Sequence, residues 1–227
     1  MTWDTGFAPS VSRQLSLACC KSNMRYTIAK DFDEGDKDIY VIGLLGKSMA
    51  RRKGLSDNYF YTPLYLAKIS NIENVKDYYA YNSPERADKK YLYKNNNWYI
   101  RKGNPHHPKV TYENGLAELK EYEKEKDIMY LPRLNSIPRY NYVLLSDEFV
   151  YFGKEVIAKN EFDSFLIKYI AETRANSPMG NTITLTSKEQ GELLNLFNEL
   201  KNRNINPKHK PYDGYFESKD CKDVCGR

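Results

Sequence analysis

The side chains best suited to binding chemistry lie near the start of the chain, between Asp4 and Arg25. Asp4 can accept hydrogen bonds from a base edge or a ribose, and Phe7 can stack on a base. Lys21 and Arg25 can hold a phosphate through charge-assisted hydrogen bonds. The residue types by themselves fit a rigid turn, with Phe7 in the core and two ordinary surface cations, at least as well. From the residue types alone, the structural turn is therefore the favoured interpretation and a nucleotide site is the alternative.

Cys20 is the most reactive type of residue in this segment. Because it stands next to Lys21, its thiolate form would be favoured and it could act as a nucleophile. A cysteine within the run Leu-Ala-Cys-Cys is more often a small buried core residue. Cys20 is therefore a candidate both for catalysis and for ligand contact. The other catalytic candidates are Asp4 and the histidines His106 and His107.

Other candidates lie in the middle of the chain. His106 and His107 follow a proline and could supply a general base or a phosphate contact, although adjacent histidines of this kind are often part of an exposed loop. Trp98 could form an aromatic wall beside a pocket, or it could pack across a pair of strands. Lys47 opens a basic cluster at residues 47–53 that suits phosphate contacts, although exposed loops often carry such charges anyway.

Motifs of well-known enzymes and metal sites are absent from the sequence. It contains no GxxxxGK, GxGxxG, HExxH or GxSxG motif and no convincing pair of nucleophile and base. This favours a binding module over an enzyme that acts on a nucleotide, and a protein that binds a partner protein is the third possibility. Cys221 and Cys225 lack the second ligand pair of a structural zinc site. We therefore predict no metal site and assign no cofactor.

Composition and charge restrict the location and the partner. The 227 residues carry a net charge of +5, from 35 Lys and Arg against 30 Asp and Glu, which is compatible with a polyanionic partner without establishing one. The longest uncharged apolar run, at residues 39–45, is far shorter than the ~20 residues of a membrane helix. The N-terminus does not have the pattern of a signal peptide. We therefore expect a cytoplasmic protein without a membrane partner.

Hydrophobic patterns predict short strands first and helices later. The predicted elements are a buried central strand at 39–45, a strand at 59–69, a hairpin at 91–101, a surface helix at 114–126, a strand pair at 140–152, a helix from Asn160, and a helix from Ser187 that begins with a capping box. The expected apolar stripe of the last helix is Leu193, Leu194, Phe197 and Leu200. This order predicts an α+β fold with a curled, mainly antiparallel sheet and C-terminal helices, as one domain over residues 1–205 with a polar tail at 206–227.

Three stretches of the chain, in this order, resemble one known family. They are DTGFAP at residues 4–9 continued by LSLACCK at 15–21 and by Met24-Arg25, then Gly35-Asp36 before YVIG at 40–43, and then YVLLSDEFVYFG at 142–153. Over most of residues 1–170 the chain resembles the nucleotide modification associated family, type two. The opening stretch is the most specific of the three.

The resemblance implies a setting, a fold and a kind of ligand. It implies genes that neighbour systems of DNA base modification or of phage–host conflict, and a barrel related to the PUA, ASCH and EVE domains, which hold a base or a modified nucleotide in a cleft. The expected ligand is a nucleotide or a single-stranded or flipped base, rather than duplex DNA read by sequence.

The expected ligand-binding residues come from the opening segment, the middle of the chain and the third stretch. They are Asp4, Phe7, Cys20, Lys21, Arg25, Lys47, Trp98, Asp147 and Tyr151. A turn, a loop and the start of a helix at this spacing can fold back together. We therefore expect the first five of these side chains to converge on one concave surface.

Overall fold

The structure is a computed structural model. It describes residues 10–11, 14–18, 22–33, 38–52, 54–80, 91–102, 111–119, 141–152 and 184–202. The strands within these ranges are β1 (Ser10–Val11), β2 (Leu15–Leu17), β3 (Tyr40–Leu44), β4 (Pro63–Lys68), β5 (Asn71–Asn74), β6 (Tyr91–Lys94), β7 (Asn97–Arg101), β8 (Leu116–Glu118), β9 (Tyr142–Ser146) and β10 (Glu148–Tyr151). The helices are α1 (Ser22–Asp33), α2 (Lys47–Arg52), a 3-10 turn (Asp57–Tyr59), α3 (Val75–Ala80) and α4 (Ser187–Asn202).

The strands form three antiparallel sheets, so the predicted α+β class is confirmed. The first sheet has the order β1-β2-β9-β5, the second β10-β4-β3 and the third β6-β7-β8. A barrel requires the last strand of a sheet to bond to the first. In the part of the chain that the structure describes, each sheet ends on two different outer strands, so the expected barrel closure is wrong for these residues.

The sheets and helices stack in layers around three apolar clusters. Alternate residues of β9 point to opposite faces of the first sheet. Val143 packs in a cluster with α3 and the third sheet. Leu144 packs in a cluster with α1 and the second sheet. The far face of the second sheet is covered by α4. The first sheet therefore lies between the third sheet and the second sheet, and one of its faces packs against each of them.

The predicted strand pair at residues 140–152 consists of two strands that belong to different sheets. Strand β9 pairs with β2 and β5, whereas β10 pairs with β4. Only Asp147 separates the two strands, and the shortest common hairpin loop has two residues. The chain therefore continues forward and passes from the first sheet into the second, so the pairing that the prediction implied is wrong.

The strand predicted to be central, at residues 39–45, lies beside the central one. The order β10-β4-β3 places β4 in the middle of the second sheet. The burial pattern explains this, because β4 is buried at five consecutive positions while β3 alternates between buried and half-buried residues. The strand predicted at 59–69 starts only at Pro63, since a 3-10 turn and a left-handed Tyr61 precede it.

The helix predicted at residues 114–126 is wrong over its described part. Asn114 and Gly115 have φ angles of 50° and 80°, which a right-handed helix does not allow, and β8 follows directly. Residues 120–126, the helix predicted from Asn160 and the predicted tail at 206–227 lie outside the described residues.

Helix α4 begins where the capping box predicted it. The N–H of Thr186 donates to Glu189 Oε2 at 2.7 Å, and the N–H of Glu189 donates to Thr186 Oγ1 at 3.4 Å. The hydroxyl of Thr186 also donates to Glu189 Oε2 at 2.7 Å, and this bond together with the one from the Thr186 N–H lowers the pKa of Glu189. One residue of the predicted stripe is wrong: Leu194 is 48% exposed, and Leu196 is buried in its place. The helical period explains the exchange, because the buried positions 193, 196, 197 and 200 repeat at three and four residues.

The predicted hairpin at 91–101 is confirmed as β6 and β7, and its turn makes a test possible. Asn95 and Asn96 have φ angles of 52° and 60°, as a type I′ turn requires. Glycine adopts these angles without strain, so Asn96→Gly is expected to raise the free energy of unfolding by about 0.5 kcal/mol in urea titrations. The matched control is Asn97→Gly inside β7, and this substitution should lower the free energy of unfolding. Shifts of the same sign in both variants would contradict the turn assignment.

Candidate functional site

The structure describes five of the sequence-predicted site residues. Those outside the described residues are Asp4, Phe7, Cys20, Lys21, His106 and His107. The convergence of the opening segment on one surface therefore stays a prediction. The described candidates are Arg25, Lys47, Trp98, Asp147 and Tyr151.

Arg25 lies in the interior, where arginine is rare. It is fully buried on α1, and its guanidinium donates to the carbonyl oxygen of Tyr142 at the start of β9. Next to it, the rings of Tyr26 and Tyr142 lie 6.1 Å apart. Arg25 thus joins α1 to the first sheet. Because Arg25 is fully buried, a phosphate could contact it only by entering the interior between α1 and the first sheet. The predicted phosphate contact of Arg25 stays a prediction.

Asp147 ties three segments of the chain together. Its Oδ1 accepts from Nε2 of Gln14 at 2.9 Å, and its Oδ2 accepts from the hydroxyl of Ser70 at 3.0 Å. The N–H of Asp147 also donates to Ser70 Oγ at 3.1 Å. Both carboxylate oxygens are therefore engaged at the joint between the first and second sheets. The ligand-binding role of Asp147 stays a prediction beside this structural one.

The two aromatic candidates are core residues in this structure. Trp98 is 2% exposed, and its ring lies 4.8 Å from that of Tyr93, directly opposite on β6. This is the cross-strand packing that the sequence offered as the second interpretation. Tyr151 is buried on β10 opposite Tyr65, between the first and second sheets. A ligand contact of either ring stays untested.

The described candidates do not meet at one point. Arg25 contacts the first residue of β9 and Asp147 directly follows its last. Five steps along a strand separate these positions by about 17 Å, which is too far for one phosphate or one base to bridge. Trp98 lies on β7 of the third sheet, and Lys47 begins α2, which follows β3 of the second sheet. Arg25 and Asp147 therefore do not contact one small molecule together, and a ligand site that includes the other described candidates stays a prediction.

Lys47 does take part in a cluster of cations and aromatic rings. Its Nζ lies 5.3 Å from the centroid of the Tyr61 ring, and the guanidinium carbon of Arg51 lies 5.4 Å from that of Phe60. Both cations are exposed, Tyr61 is half-buried and Phe60 is buried. We call these four residues the α2 face. It presents positive charge beside aromatic surface, the combination that holds nucleotides.

The loop that carries Tyr61 is tightly held. The N–H of Tyr61 donates to the carbonyl of Leu45, and the N–H of Leu45 donates to the carbonyl of Thr62, both at 2.9 Å. The hydroxyl of Thr62 donates to the carbonyl of Tyr59 at 3.1 Å. Leu45, which directly follows β3, therefore holds the loop, and Lys47 and Arg51 of α2 contact its aromatic rings, so the α2 face has a defined geometry.

Sequence reasoning singled out the basic cluster at 47–53 but missed its aromatic partners. The available signal was the aromatic run Tyr59-Phe60-Tyr61 before Pro63, within reach of the cluster. Arg52 and Lys53 are the members of the cluster whose side chains lie outside the described part of the chain.

Two further residues with shifted pKa values lie on the second sheet. Burial raises the pKa of Tyr40. An ion pair with Asp38 at 2.9 Å raises the pKa of Lys68. Within the described ranges, no three His, Cys, Asp or Glu side chains are grouped to hold a metal. None of the helices that the structure describes is long and apolar enough to cross a membrane.

The comparison with known families covers nearly the whole chain. The model of the nucleotide modification associated domain 2 family matches residues 1–206 of the 227. Searches of curated proteins and of solved structures find no match. The matched range includes every described element, among them the α2 face. The chain therefore belongs to the nucleotide modification associated domain 2 family.

Proposed function

We propose that this protein binds a nucleotide or a modified nucleic-acid base, and the α2 face is the observation that carries the proposal. Lys47 and Arg51 are exposed cations that can neutralise phosphates. Tyr61 offers an aromatic ring to a base. Membership of the family supports a ligand of this class, since the family is associated with nucleotide modification.

The dimensions of the α2 face favour a short or single-stranded ligand. Two cations and one half-buried ring match one or two nucleotides, whereas a duplex would need a longer track of phosphate contacts. The net charge of +5 also supplies only a modest phosphate footprint. We therefore propose an unpaired nucleotide or a flipped base as the ligand, rather than duplex DNA read by sequence.

The proposed biological setting rests on membership of the family. We propose that the protein acts in the cytoplasm beside DNA base modification or phage–host conflict systems, with residues 1–205 as one binding domain. An enzyme that modifies or hydrolyses the same nucleotide is the alternative. A protein that works by binding a partner protein is what remains if nucleotides do not bind.

A titration series tests the proposed binding. Mononucleotides, a single-stranded oligonucleotide and a duplex of equal length are added at several salt concentrations. We expect the single strand to bind, with log affinity falling against log salt at a slope of about −1.4 for two phosphate contacts. Replacing both cations, Lys47→Ala with Arg51→Ala, should remove this slope. Tight and steeply salt-dependent binding to duplex alone would contradict the proposal.

The matched control removes the same charge elsewhere. Lys94 lies at the end of the hairpin strand β6, and Lys188 lies at the start of α4 with its side chain 87% exposed. The double variant Lys94→Ala with Lys188→Ala should keep the affinity and the slope of the parent. Equal losses in both double variants would show that net charge, and not the α2 face, attracts the ligand. Native mass spectrometry of protein purified from cells would identify a nucleotide that co-purifies.

A further inference from the structure

We infer that Tyr61 is the base-stacking residue of the α2 face and that its ligand must carry a phosphate, so a nucleotide binds and a free base or nucleoside does not. This inference rests on the proposed function and narrows its ligand class. It depends on the backbone of Tyr61, on the hydrogen bonds that hold it, and on the position of Lys47 over its ring.

The backbone of Tyr61 is unusual for its residue type. Its φ of 64° lies in the left-handed region, which bulky side chains rarely adopt. The other non-glycine residues with positive φ in the described ranges are Asn95, Asn96 and Asn114, and asparagine tolerates this region. An asparagine or glycine would therefore relieve the strain at position 61. Strain held by a rigid surrounding is typical of functional positions.

The surrounding structure holds Tyr61 firmly enough to fix the direction of its side chain. The hydrogen bonds that join Tyr61 and Thr62 to Leu45 would have to break for the loop to relax toward a right-handed conformation, so they oppose that change. One part of the Tyr61 ring packs against the cluster between the first and second sheets. The residue is half-buried, and Lys47 of α2 lies over its ring. This arrangement gives a planar ligand a rigid platform, which lowers the entropy cost of binding.

Lys47 determines which ligand can use this platform. Its ammonium group lies over the Tyr61 ring at 5.3 Å, where a stacking base would have to enter. A base that enters displaces the ammonium group and ends its contact with the ring. A phosphate attached to that base offers the displaced ammonium group a stronger, charge-assisted partner. A free base or a nucleoside offers none, so it has to displace Lys47 without compensation.

Two measurements test this inference. The first is fluorescence anisotropy with a labelled single strand of about 12 thymidines, the length range of single-strand sites. Tyr61→Leu keeps an apolar side chain and the same backbone but removes the ring. It should weaken binding at least about tenfold, whereas Tyr61→Trp should bind within about threefold of the parent. The melting temperature of Tyr61→Leu should stay within about 3 °C of the parent. Should it not fold, Tyr61→Asn suits the backbone and carries the same expected loss.

The second measurement compares thymidine monophosphate with thymidine as competitors of the labelled strand. The monophosphate should compete at least about tenfold better, and Lys47→Ala should reduce this difference. Equal binding by the parent and Tyr61→Leu, or equal competition by nucleoside and nucleotide, would overturn the inference while the proposed function stands. A parent protein that binds neither the strand nor the monophosphate would overturn both.

Discussion

The variant Gly43→Ala is expected to lose about 3 kcal/mol of unfolding free energy, because the added methyl group has no space. Gly43 on β3 lies directly opposite Tyr65 on β4, and a Cβ at Gly43 would overlap the ring of Tyr65. That ring is buried between the first and second sheets and cannot move aside cheaply. Urea unfolding followed by circular dichroism measures the loss.

The control for Gly43 is a glycine with free space around it. Gly191 lies inside α4, and an added Cβ there meets no atom within 4 Å. Alanine is a better helix former than glycine, so Gly191→Ala should gain about 0.5–1 kcal/mol. The two substitutions are chemically identical, but only Gly43 lacks space for the added methyl group. Their effects on the free energy of unfolding should therefore have opposite signs. A Gly43→Ala variant as stable as the parent would show that the Tyr65 ring does not cover β3.

The variant Arg25→Ala is expected to lose about 4 kcal/mol. It removes a large, fully buried side chain and leaves a cavity between α1 and the first sheet. It also removes the guanidinium donor to the carbonyl oxygen of Tyr142. Arg25→Met fills most of the volume and loses only the donor, so its loss should be about 2 kcal/mol. Urea titration of the three proteins separates the two contributions.

The same variants decide whether Arg25 also contacts the ligand. Lys188→Met removes one positive charge from the exposed surface of α4 and should leave stability and nucleotide binding nearly unchanged. If Arg25 holds a phosphate, folded Arg25→Met will bind the nucleotide more weakly than this control. If Arg25 only joins α1 to β9, the two variants will bind alike. A stability of Arg25→Ala equal to that of the parent would contradict its place in the core.

Elements with strong local signals could be predicted from the sequence. The hairpin is specified by two asparagines that tolerate positive φ, and α4 by the reciprocal bonds of Thr186 and Glu189. The pairing of β9 and β10 with different sheets could not be predicted, because it depends on strands that are distant in the chain. The turn at Asn114 could not be predicted either, because there a helix-favouring composition gives way to pairing of β8 with β7.

The candidate site was predictable by residue type and not by conformation. The basic cluster after β3 was visible in the sequence, because charge can be read directly from residue types. The strained backbone of Tyr61 was not visible, since nothing in a tyrosine indicates a φ of 64°. Arg25 shows the opposite case, in which the type suggests a surface cation and the packing of α1 on β9 buries it completely. Tertiary contacts decide both outcomes.

The joint at Asp147 also limits how the length of this chain can change. Side chains of a strand alternate between two faces, so one residue added or removed next to Asp147 would turn β10 over. Val150, now packed beneath α4, would then point toward the first sheet, and Tyr151 would exchange faces with it. Loops elsewhere can accept an insertion at small cost. The spacing from Tyr142 to Tyr151 therefore cannot change by a single residue without exchanging the two faces of β10.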